Sequence, residues 1–168
     1  MALTDEKTIN ETVTDKQNDI VDVDLSVTAK KKFRINGDND KILELNTSDL
    51  SIISRLNNVY PKLQKLASDA VKELDEADTE SDDSIAKTAT TLTRIDKKMR
   101  SLLDELFDAN VSETCAPTGS MYDPFNGKLR FEYIIEVLSN LFEENLQKEI
   151  AQTSKRISKH TDKYSRKS

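Results

Sequence analysis

The sequence predicts a mainly α protein: a helical hairpin plus a third helix, with a small N-terminal β-hairpin and disordered termini. Three observations carry this reading. Ile52, Leu56, Val59, Leu63, Leu66 and Ala70 recur at alternating intervals of four and three, a spacing that only an α-helix gathers into one stripe. Ile85, Ala89, Leu92, Ile95, Met99, Leu102 and Leu106 form a second ladder after a short acidic break. Three glycines and three prolines in 168 residues are too few for a many-turned β-sandwich.

The elements follow in chain order. Residues 1–18 are rich in Thr, Asp and Glu without an apolar period, which predicts an acidic, disordered N-terminus. A single α-rich domain is expected over 19–154. Val21, Val23, Leu25 and Val27 alternate with polar residues at a strand period. Strands at 31–36 and 41–46 flank Gly37-Asp38-Asn39-Asp40, residues that tolerate positive φ, which makes a β-hairpin. So small a sheet has to lean on helices.

Thr47, Ser48 and Asp49 are N-cap candidates for a helix over 48–77. Pro61 lies inside it and predicts a kink or break near Tyr60. DEADTESDD is the reversal point, and Ser84 is positioned to cap a second helix over 84–109. Two long helices with a short polar connection fold back antiparallel. The helical period then vanishes from Asn110 to Lys128. A third helix over 129–152 carries Phe131, Ile134, Ile135, Leu138, Leu141 and Phe142 on one side. Residues 155–168 form a basic C-terminal tail, into which the third helix can run on, amphipathic or frayed, through Ile157.

Composition narrows the function. Cys115 is the only cysteine, so no internal disulfide is possible and a reducing compartment is the default. No stretch approaches the ~18 apolar residues of a membrane span. MALTDEKTIN is acidic and polar, unlike a signal peptide. These features predict a cytoplasmic protein with no membrane partner. The net charge of −6 disfavours a polyanion, and Tyr164 is the sole aromatic in the basic tail, so nucleic acid is not an expected partner.

Chemistry finds little support. Cys115 and His160 are the one thiol–imidazole combination available, and nothing in the sequence places them together. Asp38, Asp40 and Glu44 faintly suggest a Ca²⁺ loop, but the Gly and distal Glu of an EF-hand are out of register, so hairpin chemistry explains them better. No phosphate-binding glycine loop or zinc spacing occurs. We expect no enzyme, no cofactor and no metal. Met121, Tyr122, Pro124 and Phe125 cluster apolar side chains outside any helical period. They form either a lid over the helix ends or a docking site for another chain, and they are the candidate partner-binding residues.

KKKFRINGDNDKILELN running into LNNVYPKLQKL, the loop ANVSETCAPTGSMYDPFNG and the ending KHTDKYSRK together resemble small proteins from the tail-assembly region of phages and prophages of Gram-positive bacteria. Such proteins are commonly taken to be tail assembly chaperones or minor structural proteins. The likeness covers residues 30–168 and excludes the acidic N-terminus. It implies no active site. It implies as partners the tape measure protein, kept soluble while the tail tube protein polymerises around it, with self-association also open. The implied location is the host cell cytoplasm. The alternative is a virion structural or capsid scaffolding protein, located in the virion.

Overall fold

The computed structural model describes Val23 and residues 30–165. The described region is mainly α, with a small antiparallel hairpin at its N-terminal end. Strands β1 (Lys30–Arg34) and β2 (Ile42–Asn46) pair antiparallel, with Lys30 opposite Asn46 and Arg34 opposite Ile42. Helix α1 spans Ser51–Asp75 and α2 spans Asp82–Phe107. A short α3 (Val111–Cys115) precedes the two-residue strands β3 (Pro124–Phe125) and β4 (Lys128–Leu129), and α4 runs from Arg130 to Ser165. The expected disordered stretch 1–18 lies outside the described residues. So does the alternating segment from Val21 to Val27, except for an exposed, non-strand Val23.

The β-hairpin turns through Asn36 (φ 54°) and Gly37 (φ 71°), a left-handed pair that Asn and Gly adopt at low cost. Asp38 accepts a hydrogen bond from the Asp40 amide at 3.0 Å and pairs with Lys41 at 3.6 Å. Its carboxylate therefore serves the turn. Leu43 and Leu45 point into the core while Ile42 and Glu44 face outward, which is the period-2 alternation of a half-buried strand.

Helix α1 starts at Ser51, three residues later than the expected start at 48. Asp49 nevertheless does capping work, because its Oδ1 accepts from the Ser51 amide at 2.9 Å and from Ser51 Oγ at 2.6 Å. Pro61 does not break α1, which is continuous on both sides of it. Pro61 and Asn57, the residue whose carbonyl Pro61 cannot serve, are both exposed. Helix α2 begins earlier than expected, with Ser81 at its N-cap and Asp82 and Asp83 in the first turn, where carboxylates complement the helix dipole.

The two helices fold back antiparallel. At the closed end of the body, Arg55 donates from Nε to the Leu106 carbonyl at 2.8 Å and from Nη1 to Asp49 at 2.9 Å. One side chain thus meets a C-terminal carbonyl of α2 and anchors the start of α1. Ile52, Val59, Leu63 and Ala70 are buried as the first ladder implies, with Ala67 added and Leu56 and Leu66 only half-buried. On α2 the buried set is Ile95, Met99, Leu103, Leu106 and Phe107, while Ile85 and Ala89 are exposed. The stripe is rotated towards Leu103 and Phe107 because α4 packs on that side, with Phe107 and Phe142 ring centroids 5.9 Å apart. At the other end of that contact, Phe131 lies 6.2 Å from Tyr60 of α1. Helix α4 therefore touches both long helices. It also continues through most of the stretch expected to be a separate basic tail, ending at Ser165 rather than near 152.

Candidate functional site

The aperiodic segment after α2 is held by buried polar groups rather than by apolar period. Asp104 accepts from the Ser112 amide at 2.7 Å and from Ser112 Oγ at 2.9 Å, which fixes the start of α3. Arg100 donates to the carbonyls of Ala116 (2.9 Å) and Gly119 (2.7 Å), and its Nε meets Asp96 at 2.8 Å. Asp96 in turn accepts from the Met121 amide at 2.7 Å. Arg130 donates to the Thr118 carbonyl from the far side. Gly119 has φ +78°, a left-handed conformation that favours glycine, and any Cβ there would also make the Arg130 and Asp123 side-chain ends move aside.

This scaffold separates the four candidate residues. Met121 is fully buried in the core, and its carbonyl accepts from the Phe131 amide at 3.0 Å. Its side chain is therefore not presented at the surface. Tyr122 is half-buried against the core. Pro124 and Phe125 reach the surface on β3, where Phe125 stays 43% exposed beside Tyr133 (centroids 5.0 Å) and the Arg130 guanidinium (5.7 Å). The β3–β4 reversal uses Asn126 and Gly127, both at positive φ, as a two-residue hairpin turn demands.

Two concave apolar surfaces flank this small hairpin. The larger, about 1160 Å³, lies between the first half of α1 and the start of α4. Leu50, Ile53, Leu56, Tyr60, Pro61 and Ile135 supply its apolar lining, and Lys128, Glu132 and Glu136 its charged rim. Leu50 and Ile53 are 62% and 65% exposed. Their outward position is the clearest departure from a closed core, since an adjacent pair of large apolar side chains is left in water. Lys128 pairs with Glu136, a bond that raises the lysine pKa, and the Leu129 amide donates to Glu132 at 3.1 Å. Burial, with Glu132 next to it, pushes the Tyr60 phenol up, so it stays a neutral hydroxyl. Lys128, paired in register with Phe125, sits at the groove edge.

The smaller cavity, about 520 Å³, is lined by Phe33, Ile35, Cys115, Phe125, Tyr133 and Leu141 among others. Burial, and then the Asp104 charge, push the Cys115 thiol up to about 11. It is protonated at neutral pH, the reverse of an activated nucleophile. His160 belongs to the last turns of α4.

No protein-family model, curated protein or solved structure matches this chain. Among the described residues, no helix is long and apolar enough to cross a membrane. The groove's main contributors, Leu50 and Ile53, escaped the sequence reading because they flank Ile52 of the first ladder. Periodicity identifies the buried stripe and is silent about apolar residues beside it.

Proposed function

We propose that this protein is a non-enzymatic tail assembly chaperone of a phage or prophage. It binds an apolar helical segment of the tape measure protein, the tail tube protein, or both, in the host cytoplasm during tail morphogenesis. The observation that carries the binding role is the groove floored by Leu56 and Ile135 and edged by the exposed Leu50 and Ile53. Its apolar floor and charged rim suit an amphipathic helix laid between α1 and α4. Pro124 and Phe125, at the surface of the β3–β4 hairpin, offer a second contact on the side of the smaller cavity, which Phe125 lines. The phage assignment rests on the resemblance of residues 30–168, and the acidic balance of the chain keeps an apolar-binding surface soluble.

Co-expression pull-down with fragments of the tape measure protein encoded beside this chain tests the reading. Wild type should capture a helical fragment. Leu50→Glu with Ile53→Glu should lose at least ~10-fold in capture while circular dichroism stays unchanged, because both side chains already face water. Undiminished capture by that double variant would remove the groove from the proposal. Failure of wild type to capture any fragment, together with co-purification with finished virions, would replace the chaperone by a virion structural protein.

A further inference from the structure

Among the described residues, strand β1 has one partner and one open edge. The Ile35 amide donates to the Lys41 carbonyl at 2.9 Å, and the register continues with Phe33 opposite Leu43 and Lys31 opposite Leu45. Backbone groups alternate sides along an antiparallel strand. Lys31 and Phe33 therefore turn theirs towards β2, while Lys30, Lys32 and Arg34 turn theirs to the open side. Among the described residues no backbone hydrogen bond meets them there. The β2 side of the sheet, by contrast, lies against α3. An open edge of this kind is a template for a further strand.

Apolar surface lies beside the open edge. Phe33 and Ile35 line the smaller cavity with Tyr133, Val137 and Leu141 of α4, and Val137 is 43% exposed. Lys31, on the same face of β1 as Phe33, reaches Asn145 of α4. The strand is also strongly basic, with Lys30, Lys31, Lys32 and Arg34 among its residues. Lys32 pairs with Glu44 at 3.4 Å; among the described residues, Lys30 and Arg34 have no ion pair. The sequence just before β1 is complementary in both respects. Val21, Val23 and Leu25 alternate with Asp22, Asp24 and Ser26. Val23 is 62% exposed, an apolar side chain left in water.

We propose that residues 21–26 dock on the open edge of β1 as a third antiparallel strand. Ser26 lies opposite Lys30, Asp24 opposite Lys32 and Asp22 opposite Arg34, and residues 27–29 form the loop. Three-residue loops are common in hairpins, and the tether holds the segment at the edge it is to occupy. Residues paired across strands share a face. Val21 and Val23 therefore come beside Ile35 and Phe33, over the cavity, while both aspartates meet cations on the other face. A slip of one residue would reverse this, with the valines in water and the aspartates over apolar surface. The docked segment closes the edge to other chains and roofs the smaller cavity, and it leaves the Leu50–Ile53 groove open.

Hydrogen exchange of the full chain, followed residue by residue by NMR, is the test. The Lys32 and Arg34 amides should exchange at least ~10-fold more slowly in wild type than in Val23→Ser with Leu25→Ser, with helix amides unchanged between the two. Asp22→Lys should speed exchange at Arg34, and adding Arg34→Glu should slow it again, because the pair then opposes unlike charges once more. Failure of that second change to restore protection overturns the stated register. Exchange at Lys32 and Arg34 in wild type as fast as in the double serine variant overturns the docking. Protection that grows with protein concentration means that a second copy supplies the strand, and overturns the intramolecular assignment.

Discussion

Asp96 and Arg100 stand one turn apart on α2, joined at 2.8 Å, and each uses its remaining capacity on the same loop. The aspartate takes the Met121 amide and the arginine takes the carbonyls of Ala116 and Gly119. Both side chains are largely buried, at 14% and 17% exposure for Arg100 and Asp96. Removing one partner therefore strands the other in a poorly solvated place, and stranded buried charges cost far more than surface pairs. Arg100→Met should destabilise the fold by roughly 3 kcal/mol in urea melts. It should also expose the 116–123 segment to limited proteolysis first, since that segment loses its anchors.

Cys115 should react slowly. Its thiol is raised to about 11 from an ordinary 9.0. At pH 8 the thiolate fraction is then about 100-fold below that of the unfolded chain. Timed alkylation of the native and urea-unfolded protein measures the ratio. Near-equal rates would mean the thiol is not enclosed as described.

The Asp49 carboxyl is held below its ordinary value of 3.8 by the Ser51 hydroxyl hydrogen bond, with Arg55 adding to the effect. A depressed folded pKa means the group binds fewer protons folded than unfolded. Its stabilisation is thus complete above its ordinary value and is lost as pH falls through its folded value. Asp49→Asn should narrow the stability gap between pH 7 and pH 3 in thermal melts, and an unchanged gap would contradict this.

Thr47 is fully buried, and its Oγ1 has no hydrogen-bond partner among the described residues. A buried, unpaired hydroxyl opposes folding, so replacing it by a methyl of the same shape relieves that cost. Thr47→Val should leave the midpoint unchanged or stabilise by up to about 1 kcal/mol in chemical denaturation. A clear loss of stability would point to a partner for the hydroxyl.

The helices were legible because Val59, Leu63, Ile95 and Met99 recur at a period that one-sided burial imposes. The β-hairpin was legible from its turn residues and from Leu43 and Leu45. Leu103 and Phe107 were missed, since a ladder read on one helix assumes one partner, whereas α2 meets α1 and α4 together. The exposed end at Ile85 was missed for the converse reason: the pattern continues where the covering helix does not. Phe125 and Pro124 do reach the surface, but the burial of Met121 depends on Asp96 and Arg100, two ordinary-looking helix charges some twenty positions earlier in the sequence.

Helix α4 has one mechanical implication. Beyond Leu146 every described side chain is exposed, yet the backbone stays helical to Ser165. At 1.5 Å per residue this stretch is roughly 28 Å long, comparable to the diameter of a small domain. A reporter fused at Ser165 would stand about one such helix length beyond Leu146, and a fluorophore pair placed at the two points would read that distance as a ruler does.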